Sequence, residues 1–108
     1  MRYLVIMETV DTGDTPPPAE GVVMLETIVA PSLQALKDWD DSGKIRGGVL
    51  TGRRGAAFVV DAASNEELGD LLQQLPVWGT AEVEITPLDS FAHAVKSAAE
   101  TVNMLKSM

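Results

Sequence analysis

The sequence predicts an α+β fold of the ferredoxin-like kind, in the order βαββαβ, followed by one additional helix. Short apolar segments typical of strands alternate with longer segments in which apolar residues recur every three or four positions, as on one side of a helix. In addition, the first and third strands are apolar on both faces, as expected for the two central strands of such a sheet. The 108 residues have the size of one domain. We therefore expect a single unit over 1–108, with a core over 1–88 and a C-terminal helix over 89–108.

Four strands are predicted, over 2–10, 44–52, 56–62 and 81–88. Because successive side chains of a strand point to opposite faces, each strand divides into two sets. In the first strand the sets are Tyr3, Val5 and Met7 against Leu4 and Ile6. In the fourth strand they are Ala81, Val83 and Ile85 against Glu82, Glu84 and Thr86.

Three helices are predicted between and after these strands. The first runs from about Ala19 to Asp41; Pro31 interrupts it, which predicts a kink near 27–31 or two helices in tandem, and Gly43 closes it. The second begins at the capping box of Ser64 and Glu67 and ends at Pro76. The last is capped by Asp89 or Ser90 and carries an apolar stripe made of Phe91, Val95, Ala98, Val102 and Leu105. The proline-rich segment 11–20 is predicted to be a loop.

Composition excludes several classes of function. The formal charge of −8 repels phosphate backbones and anionic membrane surfaces, so we expect neither nucleic acid nor a membrane as a partner. The chain has no cysteine and a single histidine, His93, so thiolate chemistry and a three-histidine metal site are excluded, and no metal is expected. The N-terminal "YLVIM" is too short for a signal peptide, and no apolar run approaches the roughly 20 residues of a membrane helix. A cytoplasmic location is expected.

One face of the predicted sheet has no helix to cover it. Two helices cover only one face of a four-stranded sheet, which leaves the other face, apolar in the central strands, without a partner inside the chain. An apolar face of this extent would be an aggregation liability on a monomer. We therefore expect a homodimer whose two sheets pack face to face as a dimeric α+β barrel around a small cavity. The last helix is expected to dock on a neighbouring subunit or to cover a barrel end.

The second half of the chain resembles a known family. The stretch "VVDAASNEELGDLLQQLPVWGTAEVEITPL" is similar to the C-terminal half of muconolactone isomerase-type proteins, in which a strand and a capped helix lead to a Leu-Pro break and an acidic strand ending in Thr-Pro-Leu. The similarity covers about 43–88, with a weaker echo in "YLVIM". It implies the dimeric barrel, assembly into a larger ring, and the cofactor-free isomerisation of a lactone acid by proton transfer.

The resemblance does not extend to the second strand. Members of that family carry a Trp-Arg-His-Leu-Trp-Arg-like sequence there, whereas this chain reads Ile45-Arg46-Gly47-Gly48-Val49-Leu50, and only Arg46 matches. The long last helix is also additional to the pattern. The resemblance therefore supports the fold of that family more strongly than its reaction.

Two charged residues are the main candidates for chemistry. Arg46 matches the family and lies within a strand, so it is predicted to hold a substrate carboxylate through two hydrogen bonds; the alternative is that it keeps an edge strand soluble, as also expected for Arg53 and Arg54 at the hairpin tip. Glu8 follows the apolar half of the first strand, on the face of Leu4 and Ile6. It is predicted to act as a general base at the cavity mouth, and the alternative is a solvated strand end.

Further residues complete the candidate site. Leu4, Ile6 and Phe58 are predicted to line the cavity, and Trp78 to cover a pocket or anchor an interface. Glu82 and Glu84 are either paired carboxylates or a solvated face, and His93 is expected to be solvated.

Two functions remain open. The first is a small-molecule enzyme that binds an aromatic-derived or lactone-type acid without a cofactor. The second is a non-catalytic ligand-binding or assembly subunit. Acid and base groups in the cavity favour the first, and a cavity lined only by Leu4, Ile6, Phe58 and Val60 favours the second.

Overall fold

The computed structural model describes residues 1–9 and 16–108. Its sheet contains four strands, β1 (Arg2–Thr9), β2 (Ile45–Val49), β3 (Gly55–Asp61) and β4 (Ala81–Leu88). They lie in the order β2-β3-β1-β4, and every neighbouring pair is antiparallel. This confirms the predicted α+β class and places β1 and β3 at the centre. Val10 of the predicted first strand and residues 11–15 of the predicted loop lie outside the described residues.

The helices follow the predicted order with shifted bounds. They are α1 (Pro18–Met24), α2 (Ala30–Asp41), α3 (Asn65–Leu72) and α4 (Phe91–Lys106), with a π-helical turn at Leu25–Val29 and a 3₁₀ turn at Pro76–Thr80. The first helix begins at Pro18, so the helix predicted from about Ala19 is confirmed at residues 19 and 20, where the predicted loop overlapped it, and the loop prediction is wrong at Pro18. Proline at the first position of a helix loses no hydrogen bond, because the first amides have no intrahelical acceptor.

Pro31 disturbs the helical segment without breaking it. The proline has no N–H to donate, and the π turn lies directly before α2. There the N–H of Ala30 donates to the carbonyl of Leu25, five residues back. The sequence predicted a kink near 27–31 or two helices in tandem; the structure instead has one continuous helical segment with a π turn at Leu25–Val29.

The helical segment Pro18–Asp41 begins one residue before the predicted start, and it differs from the expectation that no apolar run approaches the length of a membrane helix. Its 24 residues are long and apolar enough to cross a membrane, by length and composition alone, and little of its apolar stretch is buried. Its C-terminal half nevertheless packs against the core of the sheet through Ala35, Leu36 and Trp39. The absence of a membrane partner therefore stays a prediction.

Local signals cap the helices as predicted, although α3 ends at Leu72 and not at Pro76. Gly43 follows α2 with φ = 81°, and the amide of Lys44 donates to the carbonyl of Trp39, which is the bond of a left-handed helix cap. Ser64 Oγ accepts from the amide of Glu67 at 3.1 Å. The Glu67 carboxylate reaches back one residue further than predicted and accepts from the amide of Ala63 at 2.7 Å.

The helices α2 and α3 cover one face of the sheet, which we call the covered face. The core packs there and consists of Tyr3, Val5, Met7, Ile45, Phe58, Val60, Ala62, Leu68, Leu71, Leu72 and Leu75. Ser32 is the one buried polar residue of the described part of the chain. Its hydroxyl donates to the carbonyl of Ile28 at 2.7 Å and accepts from the amide of Val77 at 3.0 Å, which ties the helical segment to the 3₁₀ turn.

Helix α4 projects away from the sheet and the helices that cover it. It starts shortly after β4, and none of its residues is buried. The radius of gyration is 18.6 Å, whereas a compact domain of this length has roughly 13 Å. The chain is therefore a compact sheet-and-helix unit with a projecting helix.

Candidate functional site

Within residues 1–9 and 16–108, no helix lies over the second face of the sheet, which we call the open face. The strand register places on it Arg2, Leu4, Ile6 and Glu8 of β1, Arg46 and Gly48 of β2, Ala57, Val59 and Asp61 of β3, and Glu82, Glu84, Thr86 and Leu88 of β4. Arg2 and Asp61 form an ion pair of 3.9 Å at the start of β1. The next two positions of each central strand are apolar and consist of Leu4, Ile6, Ala57 and Val59, whereas Glu8 near the end of β1 and the neighbouring Glu82 and Glu84 of β4 are charged. We call these two parts the apolar half and the charged half of the open face.

The charged half is organised around one ion pair. Arg53, in the turn between β2 and β3, donates from Nε to Glu8 Oε1 and from Nη2 to Glu8 Oε2, both at 3.1 Å. Two parallel bonds of this kind fix the relative orientation of guanidinium and carboxylate. The side chains remain 55% and 42% exposed, so both groups are accessible to a ligand.

The ion pair lies in a shallow groove. A concavity of about 400 Å³ is lined by Ile6, Glu8, Arg53, Glu82, Val83 and Glu84. A second concavity of about 480 Å³ is lined by Glu8, Thr9, Gly52, Arg53 and Arg54. Glu8 and Arg53 line both, so the two concavities adjoin at the ion pair.

Glu82 and Glu84 lie on the same face as Glu8, as the alternation of β4 predicted. Glu82 is directly opposite Glu8 in the strand register, and Glu84 is opposite Ile6. Side chains directly opposite on antiparallel strands approach to about 5 Å, so the groove concentrates three carboxylates against the positive charge of Arg53.

Arg46 lies on the same face but outside this groove. It is opposite Val59, which is opposite Leu4, so it shares a row with Leu4 and not with Glu8. The strand spacings put the Cα atoms of Arg46 and Glu8 roughly 16 Å apart. The structure therefore brings Glu8 together with Arg53, which the sequence had assigned to a solvated hairpin tip.

Two predicted lining residues belong to the other side of the sheet. Phe58 is opposite Val5 and lies in the core on the covered face, so the prediction that it shares a cavity with Leu4 and Ile6 is wrong. Val60 is buried in the same core. Trp78, in the 3₁₀ turn, packs against that core as well and does not line the groove. Leu4 and Ile6 are half-buried on the open face, as predicted.

Histidine and metal chemistry are not part of this groove. His93 is exposed on α4, where its Nδ1 contacts Asp89. That contact, a side-chain hydrogen bond, holds the pKa of Asp89 below its ordinary value. Within residues 1–9 and 16–108, no group of three or more histidine, aspartate or glutamate side chains is placed to bind a metal ion.

Comparison with protein families gives a match over most of the chain. The sequence model of the family described as muconolactone delta-isomerase matches residues 1–94. The match includes both central strands and the groove, and it ends within α4. No curated protein matches the sequence.

Comparison with solved structures shows the same fold. A crystal structure of muconolactone isomerase superimposes with a TM-score of 0.63 at 23% identity, over 83% of this chain and 90% of that one. The 5-chloro-2-hydroxyhydroquinone dehydrochlorinase of Burkholderia phenoliruptrix, in complex with 2,5-dihydroxybenzoquinone, superimposes with a TM-score of 0.59 at 18% identity, over 86% of this chain and 98% of that one.

Proposed function

Because the chain belongs to the muconolactone delta-isomerase family, we propose that it is a small-molecule enzyme that moves a proton within a lactone or aromatic-derived organic acid. The observation that supports this most is the bidentate pair of Arg53 and Glu8 in the groove of the open face. It places a group that binds carboxylates beside a group that accepts protons.

Arg53 is the proposed substrate anchor. Its Nε and Nη2 donate to Glu8, while Nη1 takes no part in that pair. A guanidinium has five N–H donors in one plane, so Arg53 can orient Glu8 and bind a substrate carboxylate together. Arg54 lines the adjacent concavity and adds positive charge on that side. Arg46, predicted from the sequence as the anchor, would serve only a ligand at the other end of the face.

Glu8 is the proposed base. Its carboxylate can remove a proton from a carbon next to the substrate carbonyl. The electron pair of the broken C–H bond then forms an enolate, and Glu8 returns the proton to a different carbon of the same conjugated system. No atom or electron is gained or lost, so this isomerisation needs no cofactor.

A second copy of the chain would complete the site. The groove is open, and Leu4, Ile6, Ala57 and Val59 leave an apolar surface beside it. A second sheet packed on this face would bury that surface and exclude water from Glu8 and Arg53, as in the dimeric α+β barrel expected from the sequence. Lower water content strengthens the interaction of Arg53 with a bound carboxylate.

The test is titration and turnover with a panel of lactone and aromatic acids. Arg53→Ala removes a charge-assisted contact of about 1.5–3 kcal/mol, so affinity should fall roughly tenfold to a hundredfold, and Arg53→Lys should restore it only in part. Glu8→Gln should retain binding and lose turnover. Arg46→Ala is the matched control and should bind like wild type. If Arg53→Ala kept its affinity and Arg46→Ala lost affinity, the substrate anchor would be Arg46, at the other end of the face.

The alternative is a ligand-binding or assembly subunit without catalysis. The apolar half of the open face, where Leu4 and Val59 lie, favours it. Such a protein would show the same Arg53-dependent binding, but no acid in the panel would turn over or exchange a C–H proton with solvent.

A further inference from the structure

Helix α4 carries an apolar stripe that no other element of the described residues covers. Its apolar residues are Phe91, Val95, Ala98, Val102 and Leu105. They are exposed, to 92% at Phe91 and to 60% at Leu105. In water an isolated helix is marginal below about 12–15 residues, and most helical stability in proteins comes from packing an amphipathic face. With 16 residues, α4 is close to that limit, so a partner for this stripe would stabilise it.

The spacing of the stripe is that of a helix–helix contact. Its members are separated alternately by four and three positions, which is the repeat of 3.5 residues found where two helices pack along each other. The side chains are also symmetric in size about Ala98. Large residues stand at both ends, valines stand inside them, and the small Ala98 is central. The order of side-chain sizes is therefore the same when a second copy is reversed, so residues of similar size meet along an antiparallel pair.

We propose that the α4 helices of two copies pair antiparallel through this stripe. Ala98 then packs against Ala98 of the second copy, Val95 against Val102, and Phe91 against Leu105. The contact is separate from the open face, so one chain would have two surfaces for its own copies. Two such surfaces can link face-to-face dimers into larger assemblies.

Charge supports a second copy as the occupant. Residues 89–108 contain two acidic and two basic side chains, so the whole formal charge of −8 belongs to residues 1–88. Two copies therefore repel each other least where their α4 helices meet. The antiparallel direction also opposes the helix dipoles favourably and brings Lys106 level with the N-terminal turn of the other helix, beside Asp89. In a parallel pair, Lys106 would instead lie beside Lys106 of the second copy.

The absence of cysteine in the sequence allows a direct test by single-cysteine cross-linking of the full chain. In the proposed pair, Ala98→Cys brings two Cα atoms to about the 4.4–6.8 Å that a disulfide requires. Mild oxidation should convert this variant to a covalent dimer. Asn103→Cys, exposed on another side of α4, is the matched control and should stay unlinked. Both positions are exposed, and circular dichroism checks that each variant is folded.

Two further variants determine the direction. Phe91→Cys and Leu105→Cys should each stay unlinked alone and should form a mixed disulfide when combined. Self-linking of each variant alone would overturn the antiparallel arrangement. Equal linking of Ala98→Cys and Asn103→Cys would overturn the pairing itself. Leu25 lies in the exposed apolar part of the first helical segment. A disulfide between Ala98→Cys and Leu25→Cys would show that α4 packs against that segment of the second copy and would also overturn the pairing of the α4 helices.

Discussion

The two faces of the sheet are built from the same strands but differ in burial and in charge. On the covered face, side chains such as Val5, Phe58 and Leu72 are almost completely buried and carry no charge. On the open face, the same strands present an apolar half and then a groove with Glu8 and Arg53. The covered face stabilises the chain by burial, while the open face has accessible polar groups. Substitutions on the covered face should therefore change stability, and those on the open face should change binding.

The largest effect on stability is expected from Leu72→Ala. Leu72 is 0% exposed in the core, so the substitution loses buried surface and leaves a cavity, at a cost of about 2–5 kcal/mol in the free energy of unfolding. Urea denaturation measures this. Leu33→Ala on α2 is the control, because Leu33 is 43% exposed and should change stability by no more than about 0.5 kcal/mol. Equal losses for the two variants would contradict the difference between buried and exposed leucines.

A smaller effect is expected at adjacent glycines of β2. A Cβ at Gly47 would lie 2.1 Å from the carbonyl oxygen of Ala57, whereas a Cβ at Gly48, on the open face, meets nothing within 4 Å. Gly47→Ala must shift the backbone and should cost about 1–3 kcal/mol. Gly48→Ala should be neutral or slightly stabilising. Thermal unfolding of the two variants measures the difference. If Gly47→Ala were as stable as Gly48→Ala, the backbone of β2 would be able to shift at little cost.

The ion pair of the groove should matter little for stability. Because Glu8 and Arg53 are both substantially exposed, Glu8→Gln should change the free energy of unfolding by about 1 kcal/mol or less. The same variant should lose turnover on any acid that the protein isomerises. A large loss of stability would instead assign the pair a structural role, and the urea midpoint distinguishes the two.

The smallest effect concerns pH at the start of α4. The hydrogen bond with His93 holds the pKa of Asp89 below its ordinary value of 3.8. A lowered pKa in the folded state means that this stabilisation is complete above pH 3.8 and is lost as the pH falls through the lowered value. NMR titration of the first-turn amides of α4 should show it, and Asp89→Asn should remove the transition. A midpoint at or above 3.8 for Asp89 would be inconsistent with the bond.

The sequence predicted the elements better than their faces. Alternation in β4 placed Glu82 and Glu84 correctly, because polar and apolar residues differ there. In β3 both faces are apolar, so only the register with β1, which pairs Phe58 with Val5, shows that Phe58 belongs to the core. The contact between Arg53 and Glu8 was not predicted, because it depends on β3 beginning beside the end of β1, where Gly55 pairs with Glu8. That proximity is set by strand pairing and is not visible in residue spacing.

The central claim is that a second copy covers the open face, and thiol labelling tests it most directly. Ile6→Cys places the only cysteine of the chain on that face, and Asn103→Cys places one on exposed α4 as the reference. We expect Ile6→Cys to react slowly at micromolar protein and to approach the rate of the reference on dilution, as the copies separate. Reaction of Ile6→Cys at the reference rate at every concentration would show an uncovered face and contradict the account.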